Sequence, residues 1–171
     1  LFTLVLTAVA SAGIKTGTAP VSLILPQPTT FFLCTAGMAV LDLTDPSNPI
    51  PVGLMPANPS SARDIKVYRD HAFMTGDGAG EHGLLVFDLT RLREVASYDM
   101  PATFEPDARY DLVASAHNLI IDTESGFAYT VGTNTGGESC GGGLHMIDIR
   151  EPAQPTFAGC FAGLQHADQE G

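Results

Sequence analysis

The amino-acid sequence predicts an all-β fold made of short strands grouped into similar units. The first indication is composition: the 171 residues include 18 Gly and 12 Pro and are 44% hydrophobic. Such a chain is too apolar to be disordered and too rich in turn residues for a helical bundle. The second is a segment that occurs three times, and the third is a pair of prolines that begins at the last residue of two of its copies and leaves no room for a helix there.

The repeated segment consists of Gly, four mostly apolar residues, Asp and an aliphatic residue, followed by a turn. Its copies cover residues 37–46, 83–92 and 143–152, and their aspartates are Asp42, Asp88 and Asp148. The pattern indicates a strand that ends at the aspartate. We expect each carboxylate to accept hydrogen bonds from backbone amides of the following turn, which is a structural role.

A strand–turn–strand element precedes two of these segments. Residues 63–73 align with residues 117–127, and turn residues lie at 70–71 and 124–126. Four short strands in each unit are typical of a propeller blade. One blade cannot bury both faces of its sheet, so blades must stack side by side. We therefore interpret residues 31–171 as an incomplete β-propeller with about three blades.

Several motifs resemble a known family. The segments MAVLDLTDPSNP, GLLVFDLT and GLHMIDIREP resemble the LVIVD repeat. Residues 63–68, 76–83, 115–118 and 140–149 resemble, in order, the choice-of-anchor B family of LVIVD-repeat proteins. This resemblance, over roughly residues 30–165, implies an exported propeller, usually tethered to the cell surface by a separate C-terminal element, with no established enzymatic activity.

The chain departs from the family pattern in three places. His166 and Asp168 are separated by Ala167, where family members have adjacent His and Asp in a Thr-His-Asp-Ala-Gln-Cys-like strand, and the cysteine of that strand is absent here. Residues 136–139 look like an insertion, and the first 25 or so residues match no part of the family.

The N-terminal 13 residues are uncharged and apolar, too short to span a bilayer. They resemble the apolar stretch of a signal peptide, and a buried strand is the alternative. Residues 14–30 are an unassigned lead-in. Cys140 and Cys160 flank one predicted strand unit, so a disulfide between them is expected if the protein is exported. Free thiols, together with Cys34, are the competing interpretation.

The net charge of −11 argues against nucleic acid as a partner, because an acidic surface repels phosphate. We expect an unidentified protein or glycan partner, an extracellular or cell-surface location, and no transmembrane segment within this chain.

Polar residues at the start of each repeat are the candidate ligand-binding group. If these strands line a central channel, the side chains would form a polar ring at one mouth, able to hold a metal or a small polar ligand. The alternative is that they cap strand ends and bond to neighbouring blades. The candidates are Arg63, Asp64, His117, Asn118, His166 and Asp168.

The loop at residues 77–82 offers weaker metal candidates. Asp77 and Glu81 could contribute oxygen ligands to Ca²⁺ or another divalent metal, although the loop lacks alternating acidic positions. A long turn is the alternative. No cofactor is otherwise expected.

The sequence contains no hydrolase signature such as Gly-x-Ser-x-Gly. His145 lies in mid-strand and is expected to pack between blades. These features favour a non-catalytic extracellular binding scaffold. The alternative is a lactonase-like or glycosidase-like propeller hydrolase, which would require Asp64, His117, Asn118 and His166 to converge on a metal in the central channel.

Overall fold

The computed structural model describes residues 5–6, 29–34, 36–60, 62–95, 101–138 and 140–161. The strands in these ranges are β1 (Val5–Leu6), β2 (Thr29–Cys34), β3 (Gly37–Asp42), β4 (Ile50–Pro56), β5 (Ala62–Tyr68), β6 (His71–Asp77), β7 (Leu84–Asp88), β8 (Ala102–Thr103), β9 (Ala108–Tyr110), β10 (Val113–Ser115), β11 (Asn118–Asp122), β12 (Phe127–Val131), β13 (Asn134–Gly137), β14 (Leu144–Asp148) and β15 (Thr156–Phe161). Short 3₁₀ helices lie at Leu89–Glu94 and Cys140–Gly142.

The strands form three sheets and a two-stranded ribbon. The first sheet has the order β1-β2-β3-β4-β8, the second β5-β6-β7-β9 and the third β11-β12-β14-β15, while β10 pairs with β13. All pairings are antiparallel except that of β8, which runs parallel to β4. The predicted all-β class is therefore confirmed for the described residues.

The repeated segment forms the third strand of each sheet, namely β3, β7 and β14. Each strand ends at its aspartate, where one carboxylate oxygen accepts a hydrogen bond from the backbone amide two residues further on. The donors are Thr44 N to Asp42 (2.7 Å), Thr90 N to Asp88 (2.8 Å) and Arg150 N to Asp148 (3.0 Å). The structural role expected of these carboxylates is confirmed.

Glycine begins or precedes these strands for a steric reason at two positions. Gly37 has φ of +147°, and a Cβ there would lie 2.1 Å from the carbonyl oxygen of Met55. Gly83 has φ of +75°, and a Cβ would lie 2.9 Å from the carbonyl oxygen of Tyr110. A side chain would therefore push away the neighbouring strand at either position.

The predicted alignment of the two hairpins is correct only for their first strands. Asp64 and Asn118 are each the fifth paired residue counted back from the turn. The turn of β5 and β6 has two residues, whereas residues 123–126 form a four-residue connection in the third sheet. Phe127 consequently takes the place of His71, and not that of Phe73 as the sequence alignment implied.

The second sheet is buried on both faces. Along β6, Ala72 and Met74 pack against residues of the first sheet, and Phe73 between them packs against residues of the third. Along β7, Phe87 belongs to the first cluster and Val86 to the second. Because side chains alternate between the faces of a strand, the continuous apolar run of β7 supplies both interfaces.

The third sheet buries only one face within the described residues. Leu119 and Ile147 are fully buried against the second sheet, whereas Ile120 and Phe161 are each 60% exposed. Phe161 pairs with Leu144 of β14. Leu144 and Met146 lie on the face of β14 opposite to that of Ile147, so Phe161 lies on the same face as Met146. We call this surface, which includes Ile120, Tyr129, Met146 and Phe161, the outer face of the third sheet.

The N-terminal boundaries are described only in part. Val5 and Leu6 pair with Phe32 and Phe31 of β2, so two residues of the segment that resembles a leader lie in a strand. β2 begins at Thr29, two residues before the predicted start of the propeller region.

Candidate functional site

The candidate residues lie where β5 and β11 begin, beside the loop at residues 78–83. Arg63 and Asp64 are the second and third residues of β5, and His117 directly precedes β11, which begins at Asn118. The first strands of the second and third sheets pack against each other. This packing brings the two pairs into one region of the molecule.

Arg63 is buried and bonded within the protein. Its Nη1 lies 2.7 Å from Nε2 of His82, and Nη2 donates to the carbonyl oxygen of Asn58. A guanidinium can only donate, so His82 Nε2 accepts and the ring proton is on Nδ1, which donates to Gly83 O at 2.7 Å. Burial lowers the pKa of His82, and the positive charges of Arg63 and Arg109 lower it further.

Asp64 connects two sheets. Its Oδ2 accepts a hydrogen bond from the backbone amide of Leu119 in β11 (3.0 Å), and its Oδ1 pairs with Lys66. The residue is 9% exposed. The carboxylate is therefore engaged in strand-to-strand bonding, which is the alternative that the sequence left open for this position.

His117 belongs to a small polar cluster at the surface. Its Nδ1 lies 2.8 Å from Asp77 Oδ2, and the other carboxylate oxygen of Asp77 accepts from Asn134 Nδ2 at 2.7 Å. The bond with His117, followed by that with Asn134, lowers the pKa of Asp77. We call these three residues the Asp77 cluster. It joins the end of β6, the start of β11 and the start of β13.

The remaining candidates are dispersed or lie outside the described residues. Asn118 is exposed, on the opposite face of β11 from the buried Leu119. Glu81 is exposed, and its carbonyl oxygen accepts from Arg109. His166 and Asp168 are outside the described residues. The complete polar ring therefore stays a prediction.

The described residues bring three potential metal-ligand side chains together in one place. That group consists of Glu138, Cys140 and Cys160, whose ligand atoms all lie within 4.8 Å of one another. Asp77, Glu81 and His117 belong to no such group within the described ranges. Cys140 and Cys160 form a disulfide, the pairing expected for an exported chain.

His145 packs between the second and third sheets, as expected for a buried mid-strand histidine. Its Nδ1 donates to the carbonyl oxygen of Glu138 (2.9 Å), and its Nε2 lies 2.8 Å from the hydroxyl of Tyr110. Desolvation raises the pKa of Tyr110 to about 12. The ring of Phe157 lies against the imidazole, with centroids 5.2 Å apart.

Two members of these networks were missed by the sequence analysis. His82 lies in the predicted long turn, and a histidine flanked by Gly-Glu and Gly gives no signal of a buried partner. Asn134 lies in a polar stretch of ordinary composition, which gives no signal of a specific partner. Both acquire their partners only when separate strands come together.

Within the described ranges, no helix has the length and apolar character needed to cross a membrane. Comparison of the chain with protein-family models, with curated proteins and with solved structures finds no match.

Proposed function

We propose that the chain contributes blades to an extracellular or cell-surface β-propeller of the LVIVD-repeat, choice-of-anchor B type, and that it serves as a non-catalytic binding scaffold. The sequence motifs are the basis of the family assignment. The arrangement of the sheets, the bonding of the candidate polar residues and the disulfide each support a part of the proposal.

The observation that carries the blade interpretation is the recurrence of one backbone pattern in separate sheets. The third strand ends at Asp42 in the first sheet and at Asp148 in the third. In both sheets the pairing of this strand with the next one contains a register shift between the residues two and one positions before the aspartate. The following turns also match, with bonds from Asn48 N to Asp45 O and from Gln154 N to Glu151 O. Equivalent units of this kind are what a propeller stacks around its axis.

The stacking order of the sheets supports the same interpretation. The first sheet packs on one face of the second, and the third sheet packs on the other. The outer face of the third sheet carries apolar side chains at positions equivalent to those that Phe73 and Val86 use against the third sheet. A further blade in the same orientation would cover this face.

A scaffold is favoured over a hydrolase because the buried polar candidates are already bonded in the fold. Arg63 bonds to His82, and Asp64 bonds to Leu119 across the interface between two sheets. Buried groups whose hydrogen bonds are already made within the fold are poorly placed to bind substrate or a metal. Fold alone does not assign function, so this argument depends on the bonding of these residues and not on the propeller.

An extracellular location is supported by the Cys140–Cys160 disulfide, because such bonds persist in oxidising compartments.

The Asp77 cluster and Asn118 are the polar groups we assign to partner binding. His117 exposes 55% of its side chain, and Asn118 and Asn134 are also exposed. Imidazole and amide groups at a surface can bond to the hydroxyls of a glycan or to a peptide backbone.

The test uses the fluorescently labelled chain on intact cells, with and without prior treatment by a protease or by glycosidases. We expect saturable binding that one of the treatments abolishes. The double variant His117→Ala/Asn134→Ala should bind at least about tenfold more weakly, a loss of about 1.4 kcal/mol. Glu124→Ala, in the exposed connection between β11 and β12, is the matched control and should bind normally.

The same preparations are assayed for turnover of lactone, ester and glycoside panels and for bound metal. Absence of saturable binding would contradict the scaffold proposal. Metal-dependent turnover that is lost in His117→Ala would replace it with the hydrolase.

A further inference from the structure

Glu138, Cys140 and Cys160 converge on one point at the edge of the third sheet. Cys140 lies in the 3₁₀ turn before β14, and its backbone amide donates to Glu138 Oε1 at 2.9 Å. Cys160 lies in β15, opposite His145 of β14. The Cα atoms of the two cysteines are 5.2 Å apart, and the three side chains bring their ligand atoms within 4.8 Å of one another.

This grouping does not depend on the disulfide alone. β15 pairs with β14 along its length, which holds Cys160 in place. On the other side, Glu138 donates its amide to Leu112 O and accepts from His145 Nδ1 at its carbonyl oxygen. Because both sides are anchored by bonds to other residues, cleavage of the disulfide should leave the cysteines close together.

We propose that reduction of the Cys140–Cys160 disulfide creates a Zn²⁺ site with Glu138, Cys140 and Cys160 as its protein ligands. Two thiolates and one carboxylate favour zinc over the hard cations Ca²⁺ and Mg²⁺, which take oxygen ligands. Three protein ligands leave the fourth tetrahedral position to water or another small ligand. The inference goes beyond the proposed function, under which the disulfide persists, and applies to the chain in a reducing environment.

The chemistry balances as two steps. A dithiol reductant supplies two electrons and two protons, the S–S bond breaks to give two thiols, and the reductant becomes a disulfide. Zn²⁺ then displaces the two thiol protons to solvent and binds both thiolates. In the oxidised chain both sulfurs are bonded to each other, so zinc binding requires prior reduction.

The site is open to solvent on one side. Glu138 and Cys160 are exposed, whereas Cys140 is 3% exposed. Reductant and metal can therefore approach Cys160 first. His145 bonds to the carbonyl of the ligand Glu138, and Tyr110 bonds to His145, so the site is connected to the interface between the second and third sheets.

The experiment uses the full chain with Cys34→Ser, which removes the third thiol, reduced by a phosphine without oxygen. Cobalt is titrated as a spectroscopic probe, and zinc is then added as a competitor. We expect one cobalt per chain, with thiolate-to-cobalt charge-transfer and tetrahedral ligand-field absorption that zinc abolishes. Glu138→Gln should weaken binding by about tenfold or more. The exposed Glu151→Gln is the matched control and should bind as the parent does.

Four results of the cobalt titration would overturn the proposal. The first is cobalt binding by the oxidised chain with the same spectrum, and the second is binding by the reduced chain no tighter than that of Cys140→Ser/Cys160→Ser. The third is an affinity for cobalt that Glu138→Gln leaves unchanged. The fourth is a spectrum of the cobalt-bound chain that is unchanged in concentrated urea. Circular dichroism tests whether the reduced chain stays folded. A fold that is lost on reduction and not restored by zinc would also contradict the site.

Discussion

The carboxylate of Asp64 accepts a hydrogen bond from the backbone amide of Leu119, 55 residues away, at 3.0 Å. This contact joins the first strands of the second and third sheets. Asp64 is 9% exposed and Leu119 is fully buried. A buried amide that loses its acceptor keeps its full desolvation penalty, so the bond matters more for what its absence would cost than for its own net strength.

We therefore expect Asp64→Ala to lower the free energy of unfolding by about 1–3 kcal/mol, because Leu119 N is left without an acceptor. Asp64→Asn, which keeps an acceptor oxygen, should lose less. Asn118→Ala tests the equivalent but exposed position of the third sheet and should stay within about 0.5 kcal/mol of the parent. Urea denaturation measures all three, and equal losses at Asp64 and Asn118 would contradict the interpretation.

Leu119 and Ile120 are adjacent in β11 but point to opposite faces of the third sheet. Leu119→Ala should cost about 2–5 kcal/mol, since it opens a cavity between two sheets. Ile120 is 60% exposed, so Ile120→Ala should change the free energy of unfolding by no more than about 0.5 kcal/mol. Thermal or urea unfolding of the isolated chain checks the pair. A large loss at Ile120 would mean that the outer face is covered in solution.

The Asp77 cluster should be visible in the acid titration of the protein. Hydrogen bonds from His117 and then Asn134 hold the pKa of Asp77 below its usual 3.8. Because the folded pKa is depressed, the stabilisation is present above pH 3.8 and is lost as the pH falls through the folded value. The difference in the free energy of unfolding between Asp77→Asn and the parent protein should therefore become smaller as the solution is acidified.

Carbon NMR of the Asp77 carboxyl separates the two contributions. His117→Ala should raise the pKa of Asp77 more than Asn134→Ala does, since the bond with His117 is the larger cause. Asn118→Ala, beside His117, should leave it unchanged. A larger rise in Asn134→Ala would reverse the assignment.

His82 should remain uncharged with its proton on Nδ1 at neutral pH. Burial lowers its pKa from 6.5 and Arg63 adds to the effect, so the unfolded chain binds a proton that the folded chain does not. The contribution of His82 to the free energy of unfolding should be present above pH 6.5 and decline as the pH falls below it. His82→Gln should flatten that decline. Nitrogen NMR of the imidazole reports the tautomer directly. A proton on Nε2, or a charged ring at pH 7, would contradict the Arg63 contact.

Local features of the fold could be predicted because the interactions behind them span few residues. Asp42 and Asp88 each bond to an amide two residues away, so their segments define a strand end and a turn without help from the rest of the chain. The predicted alignment of the two hairpins is wrong beyond their first strands because the turns differ in length. With two residues in one turn and four in the other, Phe73 does not correspond to Phe127.

The candidate site depended on contacts between distant strands. Sequence placed Arg63, Asp64, His117 and Asn118 in equivalent positions, and the pairing agrees for Asp64 and Asn118. It could not indicate which of them would be buried. Arg63 and Asp64 bond inside the fold, whereas His117 and Asn118 are exposed.

The sequence by itself determined the all-β class, the strand that ends at each of Asp42, Asp88 and Asp148, and the cysteines available for pairing. Only the tertiary structure decided that Asp64 joins two sheets, that His82 accepts from Arg63, and that Glu138 lies beside the Cys140–Cys160 disulfide. The physical reason is range. Turn and strand signals are local, whereas burial and hydrogen-bond partners are fixed only when one sheet covers another.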